Sequence, residues 1–158
     1  MFREMERKKQ QLPEAECLEL LEKEPRGVLS VLGDEGYPYG MPLNFWYCRE
    51  NGKLYFHTGK NGHRTDSLEK CDKTSFCVMD QGYREPGEWA LNIRSVIVFG
   101  RLHRVEDHER AIDITRKLSF KYTPDAAYIE DEIAKYGSGV VCWELTLEHI
   151  TGKLVKES

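Results

Sequence analysis

The sequence predicts a mainly β protein, an antiparallel barrel of about six strands with helices packed on its outside. Its apolar runs follow one another with turn signals between them, of which Asn51-Gly52 is the clearest. Neighbouring runs of this kind form hairpins. The regular alternation of strands and helices that builds a parallel sheet is missing, which argues against a doubly wound fold.

The length and composition are those of a globular domain. The chain has 158 residues, of which 40% are hydrophobic and 32% charged, and we expect one domain over residues 1–158 with residues 1–11 as an N-terminal arm. No apolar run approaches the roughly 18 residues that span a bilayer, and the first residues lack the apolar core of a signal peptide. We therefore expect a cytoplasmic protein without a membrane partner. The net charge of −4 and the scattered cations disfavour nucleic acid as a partner.

Several classes of catalytic and metal site are absent from the sequence. The five cysteines form no C-x-x-C pair and the five histidines no H-E-x-x-H motif, so neither a disulfide framework nor a zinc site is expected. The serine elbow G-x-S-x-G and the P-loop are missing as well. If the protein is an enzyme, a bound cofactor is expected to supply the chemistry.

The predicted elements begin with a helix that Pro13 opens and Pro25-Arg26-Gly27 ends, since proline is tolerated at the first helical position. Apolar runs and turn residues then predict the remaining elements. In chain order these are strands at 27–32, 37–48 and 53–58, a helix at 64–71, strands at 73–80 and 90–105, helices at 107–122 and 123–136, and a last strand from 140 to 147 that extends toward 154.

The second predicted strand contains Pro38 and Pro42. Because proline cannot donate to a ladder, these positions belong at a sheet edge, at a bulge or beside a ligand. The backbone of residues 42–44 would suit the edge of a flat polar ring, and an ordinary edge strand explains the prolines equally well.

Residues 55–68 have the pattern of an anion-binding site. A strand that ends at Thr58 leads into a loop with two glycines, and His63 and Arg64 follow where a helix is predicted to begin. Glycines allow close approach of backbone N–H groups, a helix start offers unpaired donors, and the two side chains add positive charge. We call residues 58–64 the cradle and expect a phosphate group there. A plain surface turn fits the same residues.

Short motifs run through almost the whole chain. They are residues 1–5, Gly36-Tyr37-Pro38-Tyr39 with Pro42, Tyr55-Phe56-His57 with Gly62-His63-Arg64, Arg94-Ser95-Val96 with Gly100-Arg101, and residues 148–153. In this order the sequence resembles the flavin-binding split-barrel proteins related to pyridoxamine 5′-phosphate oxidase, and within them the nitroimidazole-resistance type.

The resemblance implies a six-stranded antiparallel split β-barrel of Greek-key type. It also implies a homodimer that binds FMN in two grooves between its subunits. In this family the backbone of residues 41–45 would face the flavin ring, and Thr58, His63 and Arg64 would hold the phosphate. The cofactor-binding residues carried over are Met41, Pro42, Leu43, Asn44, Phe45, His57, Thr58, Gly62, His63, Arg64, Arg94, Ser95 and Trp143. Of these, Arg94 would add charge near the phosphate, and Ser95 and Trp143 would reach the flavin.

The function implied by the resemblance is that of an FMN-dependent oxidoreductase. NADH or NADPH would pass electrons through the flavin to a small acceptor such as a nitroimidazole or another nitroaromatic, with His57 as the candidate catalytic proton donor. A packed strand histidine is the alternative for His57. The alternative functions are a non-catalytic flavin or haem carrier, with His57 or His149 as the iron ligand, and pyridoxamine phosphate oxidation. Ile97, where the oxidase has a second arginine, and the missing C-terminal tryptophan–arginine–proline segment disfavour the last.

Overall fold

The computed structural model of the chain describes residues 1–157. Within them, seven strands form one antiparallel sheet in the order β2-β1-β5-β6-β7-β4-β3. The strands are β1 (Arg26–Leu32), β2 (Pro38–Asn44), β3 (Trp46–Cys48), β4 (Lys53–Thr58), β5 (Lys73–Met79), β6 (Leu91–Arg104) and β7 (Val141–Glu157). The α-helices over the same range are α1 (Glu14–Lys23), α2 (His63–Lys70), α3 (His108–Phe120) and α4 (Ala126–Tyr136). Short 3₁₀ helices lie at Lys8–Gln10, Asp34–Gly36 and Gly137–Gly139.

The sheet is curled into a split barrel, because its two edges are joined through one residue. Strand β2 lies at one edge and β3 at the other, yet only Phe45 separates them along the chain. Two edges so close in sequence are brought together only if the sheet bends round on itself. The predicted antiparallel barrel with flanking helices is thus confirmed, with seven strands among the described residues where six were predicted. The predicted strand 37–48 divides at Phe45.

The break at Phe45 is stabilised by Tyr122, which follows α3. Its hydroxyl accepts a hydrogen bond from the Phe45 N–H at 2.8 Å and lies 2.8 Å from the Phe45 carbonyl oxygen and 2.7 Å from that of Pro25. A hydroxyl has one proton, so it donates to one of these carbonyls at a time. The Phe45 ring is fully buried and meets the ring of Phe76 edge-on. A distant side chain therefore replaces the ladder partners that Phe45 lacks.

A β-bulge divides the longest strand pair. Phe99 of β6 lies opposite His149 of β7, and Gly100 lies opposite Leu147, so Glu148 is the extra residue. A Cβ at Gly100 would collide with the Thr146 carbonyl oxygen, which explains the glycine. The bulge changes which residues of β7 point into the core. Before it these are the odd-numbered residues, and after it they are the even-numbered ones.

Helix α3 is anchored to the sheet by the carboxylate of Glu144 on β7. This group accepts hydrogen bonds from Lys53 Nζ at 2.6 Å, from the Tyr55 hydroxyl at 3.0 Å and from the Arg110 guanidinium. Its side chain is only 14% exposed. Burial by itself would raise the pKa of Glu144, but the three donors outweigh it and lower the pKa to about 2. The carboxylate is therefore charged at neutral pH.

One face of the sheet is apolar and uncovered. Val28 of β1 pairs with Cys77 of β5, which pairs with Ile97 of β6, and all three side chains are exposed, as is Phe99. We call this surface the outer apolar face. The N-terminal arm reaches its border, where the Phe2 ring stacks on His149 with centroids 4.7 Å apart.

None of the helices in residues 1–157 is long and apolar enough to cross a membrane.

Replacing Tyr122 by phenylalanine is predicted to destabilise the fold by about 1–3 kcal/mol, because the Phe45 N–H would lose its partner at the barrel seam. Urea denaturation of the two proteins measures the difference. Tyr136→Phe is the control, because that side chain is 64% exposed. Equal losses in both variants would contradict the assignment.

Glu144→Gln is predicted to remove a stabilisation that depends on pH. The folded-state pKa of about 2 lies below the ordinary value of 4.5, so the contribution is complete above about pH 4.5 and is lost as the pH falls toward 2. Because Lys53 and Arg110 are partly exposed, we expect the variant to lose about 1–2 kcal/mol of its free energy of unfolding at pH 7.

Urea denaturation between pH 7 and pH 3 should show the wild type and the Glu144→Gln variant converging as the pH falls. Glu109→Gln, an exposed carboxylate at the start of α3, is the control. A difference that stays constant over this range would contradict the assigned role of Glu144.

Candidate functional site

The cradle joins the end of β4 to the start of α2. Residues 59–62 are exposed, and Gly62 has a φ of +134°, a conformation that glycine adopts without strain. Gly62 is also the N-cap of α2, so no side chain caps the helix. The first-turn N–H groups of α2 are consequently available to a bound anion.

Two of the predicted cations occupy this helix start in different settings. The Nε2 atom of His63 lies 3.4 Å from Asp34 Oδ2, and its ring stacks on Tyr39 with centroids 4.2 Å apart. Lys70, two turns along α2, approaches the same carboxylate at 3.1 Å. The Lys70 hydrogen bond and the charges of Lys70 and His63 lower the pKa of Asp34. Within residues 1–157, Arg64 has no carboxylate at salt-bridge distance, so its charge is free for a ligand.

His57 lies one residue before the cradle, on the side of β4 that faces α3. The side chain is exposed but sits in a concave groove. The groove excludes part of the bulk water, which lowers the pKa of His57, and the charge of Arg64 lowers it further. The imidazole is therefore neutral near pH 7. In this form it donates one hydrogen bond and accepts another.

Thr58 is connected to Trp143. The indole Nε1 donates to the Thr58 hydroxyl at 3.1 Å, and that hydroxyl donates to the Gly59 carbonyl at 2.9 Å. Trp143 is buried in the core opposite Phe56. It therefore reaches the cradle through Thr58, and its predicted contact with a flavin ring stays a prediction.

The predicted ring-facing segment, residues 41–45, alternates in burial. Met41 and Phe45 point into the core, Pro42 is exposed, and Leu43 and Asn44 are half-buried. The Asn44 side-chain oxygen accepts a hydrogen bond from Arg26 Nε at 3.2 Å. Strand β2 is an edge strand that pairs only with β1, so its other backbone edge is free of the ladder.

A cavity of about 550 Å³ extends from the cradle beneath α3 and α4. Asn44, His57, Thr58 and Gly59 line one side, and the helices line the other. The cavity therefore connects three of the predicted binding residues with a wall that the sequence did not predict. The residues of that wall are Thr115, Leu118, Ser119, Tyr122, Thr123, Tyr128, Ile129, Glu132, Ile133, Tyr136, Gly137, Gly139 and Val140.

Arg94 and Ser95 lie at the other end of the sheet. Ser95 pairs with Met79, whereas His63 adjoins Gly33, just beyond the far end of β1. The spacing of residues along the strands therefore separates Ser95 from His63 by roughly 20 Å. The Arg94 side chain bonds to Asp80 at 2.8 Å. Burial opposes ionisation of Asp80, but the hydrogen bonds from Arg94 and Gly82 lower its pKa overall. The chain thus brings Asn44, Thr58 and the cradle together, whereas Arg94 and Ser95 lie elsewhere.

Among the described residues, no group of three or more His, Cys, Asp or Glu side chains is arranged to hold a metal ion. The site consists of hydrogen-bond donors, the basic side chains of His63 and Arg64, and an apolar cavity.

Comparison with known structures gives the same fold. A protein assigned to 5-nitroimidazole antibiotic resistance from Bacteroides thetaiotaomicron superposes with a TM-score of 0.76 at 17% identity, over 93% of this chain and 87% of that one. An FAD-binding protein of Mycobacterium smegmatis superposes with a TM-score of 0.67 at 18% identity, over 94% of this chain and 99% of that one. An FAD- and haem-binding protein of the same organism superposes with a TM-score of 0.71 at 18% identity, over 92% of this chain and 73% of that one. A search among curated proteins gave no match.

A family model also matches nearly the whole chain. The model describes pyridoxamine 5′-phosphate oxidase, and it covers residues 13–154, a range that includes every strand except the last residues of β7. The chain therefore belongs to the pyridoxamine 5′-phosphate oxidase family of split-barrel proteins.

Proposed function

We propose that the protein is an FMN-dependent oxidoreductase that passes electrons from NADH or NADPH to a small acceptor, with nitroaromatic compounds as the candidate class. The observation that carries this proposal is the uncapped start of α2, with Arg64 unpaired among the described residues, in a cradle whose first residues, Thr58 and Gly59, line the cavity. This arrangement combines a phosphate site with space for an aromatic ring. Family membership and the flavin ligands named for two of the similar structures support it.

The residues of the cradle fit a terminal phosphate. The Thr58 hydroxyl can turn its proton from the Gly59 carbonyl to an anion while it still accepts from Trp143. Arg64 supplies a guanidinium, and the N–H groups of α2 supply further donors. His63, whose Nε2 atom lies 3.4 Å from Asp34 Oδ2, supplies a further ring N–H donor beside the helix start. Two basic residues at one helix start match the doubly charged end of FMN better than a diphosphate within a longer chain.

The flavin, when bound, supplies the hydride and electron transfer, because the chain has no redox group suited to it. The protein binds and orients the reactants. The edge of β2 offers backbone groups to a polar ring, and the cavity excludes water from it. His57, neutral and beside the cavity, is proposed to donate a hydrogen bond from its N–H to an acceptor. To act as the proton donor it would first take up a proton from solvent at its second ring nitrogen, and it would return to the neutral form when it gives that proton up.

We also propose that the protein works as a homodimer through the outer apolar face. An uncovered patch of this kind on a soluble protein marks an interaction surface, and self-association of one face is the commonest closed arrangement. Arg94 and Ser95 are too far from the cradle of their own chain to share a ligand with it. In a dimer, they are proposed to reach the site of the other subunit.

The spectrum of the purified protein tests the cofactor. We expect FMN absorbance bands and NADH- or NADPH-dependent reduction of a nitroaromatic such as nitrobenzene. A colourless protein that does not bind added FMN would refute the proposal. A Soret band would indicate haem in place of flavin, and bound flavin without turnover would indicate a carrier.

Arg64→Glu is predicted to weaken FMN binding at least about ten-fold, because charge reversal removes a guanidinium–phosphate contact. Affinity for riboflavin, which lacks the phosphate, should change little. Lys60→Glu is the control, because it makes the same charge change in the same loop at an exposed side chain to which we assign no phosphate contact. Fluorescence titration measures all three proteins. Equal FMN affinity in the Arg64→Glu and Lys60→Glu variants would contradict the cradle assignment.

Ile97→Lys is predicted to convert the dimer to a monomer, because it places a charge in the middle of the outer apolar face. Sedimentation velocity measures the mass, and Phe120→Lys, on α3 away from that face, is the control. A wild-type protein that is monomeric at micromolar concentration would refute the dimer.

A further inference from the structure

We propose that the α4 side of the cavity is the acceptor site and that it selects planar aromatic compounds without negative charge, with Glu132 as the residue that excludes anions. This inference rests on the proposed flavin chemistry for its catalytic meaning. The charge selection itself follows from the wall of the cavity.

The shape and lining of the cavity favour a flat ring. Leu118 of α3 and Ile129 and Ile133 of α4 give it apolar walls opposite His57. Tyr128 and Tyr136 stand at its rim, 55% and 64% exposed. Apolar walls with aromatic rims and few polar groups are typical of sites for small aromatic ligands.

Glu132 lies between these two tyrosines on one face of α4. Residues four apart on a helix are neighbours, so a carboxylate is flanked by an aromatic ring one turn before it and another one turn after it. The faces of aromatic rings attract cations. All three side chains therefore favour a positive or neutral ligand over a negative one.

No other formally charged side chain of the described residues lines this cavity. The amine of Lys135 is 3.7 Å from Glu132, but both side chains are well exposed, so the pair compensates the charge only loosely. Arg26 is directed at the Asn44 oxygen. Arg64, which lies near His57, would be paired with the phosphate. The charge of Glu132 thus dominates inside the cavity.

Three hydroxyls, two on α3 and that of Tyr122 just after it, reinforce this selection. Thr115 Oγ1 donates to the Ala111 carbonyl at 2.9 Å, and Ser119 Oγ donates to the Thr115 carbonyl at 2.8 Å. The Tyr122 proton is directed at the Pro25 or Phe45 carbonyl. With their protons engaged, these groups present lone pairs to a ligand. A carboxylate or phosphate, which needs donors, therefore meets lone pairs at Thr115, Ser119 and Tyr122. The hydroxyl donors of Tyr128 and Tyr136 lie at the exposed rim.

The test uses three matched probes on the full-length, flavin-loaded protein: 4-nitrobenzylammonium, 4-nitrobenzyl alcohol and 4-nitrobenzoate. Steady-state kcat/KM is measured for wild type, Glu132→Gln and Asp131→Asn. Asp131 is the control, because it makes the same charge change one residue earlier on α4 and does not line the cavity. Differences in reactivity among the probes cancel when each variant is compared with wild type.

We expect wild type to prefer the cation over the anion. Glu132→Gln should lower the cation-to-anion ratio of kcat/KM by at least about five-fold, as expected for a unit charge in a partly solvated cavity. Asp131→Asn should change it less than about two-fold. Tighter binding of 4-nitrobenzoate than of 4-nitrobenzylammonium to wild type, or equal effects of the two variants on the ratio, would overturn the proposal.

Binding of the same probes, followed by quenching of tyrosine and tryptophan fluorescence without a nicotinamide, separates this inference from the proposed function. The expected charge order in binding without any turnover would support the site and refute the oxidoreductase. Turnover without a charge order would refute the role of Glu132 and leave the flavin chemistry standing.

Discussion

The hydroxyl of Tyr122 holds together the two edges at which the sheet would otherwise open. Strands β2 and β3 are at opposite ends of the sheet order, and Phe45 alone connects them. At such a junction the backbone leaves one ladder before it joins another, so its polar groups need a partner from elsewhere. Because Tyr122 follows α3, the same hydrogen bonds that satisfy Phe45 also fix the end of that helix against the barrel.

The candidate site depends on this junction. Asn44 precedes Phe45, and Tyr122 is itself part of the cavity wall. The hydrogen bonds that close the barrel therefore also fix two residues that line the cavity. The other end of α3 is fixed by Glu144, which binds Arg110. With both ends of α3 held, the cavity has a rigid side against β4 and a more exposed side along α4. This division suits a site in which one ligand stays bound and another exchanges.

Local patterns predicted much of this structure. Asn51-Gly52 does form the turn between β3 and β4, and the strand, glycine loop and helix of the cradle follow one another as the sequence indicates. The interruption at Phe45 could not be predicted in this way, because its hydrogen-bond partner lies 77 residues away. The bulge at Glu148, after which the other set of β7 side chains faces the core, could not be predicted for a related reason. An extra residue disturbs the alternation of apolar and polar residues on which strand prediction relies. The role of Glu132 depends on where α4 packs, which periodicity does not reveal.

The place of β7 in the sheet has a consequence for how the chain acquires its fold. This strand lies between β6 and β4, and its partners in β4 are more than 80 residues earlier, as in the pair of Thr58 and Val141. Until β7 has been synthesised, β3 and β4 have no connection to the remainder of the sheet, and two strand edges stay open. Long-range pairing of this kind slows folding and exposes aggregation-prone edges. The sheet therefore stays incomplete until β7 has been synthesised. At that stage the open strand edges are the part of the chain that molecular chaperones would bind.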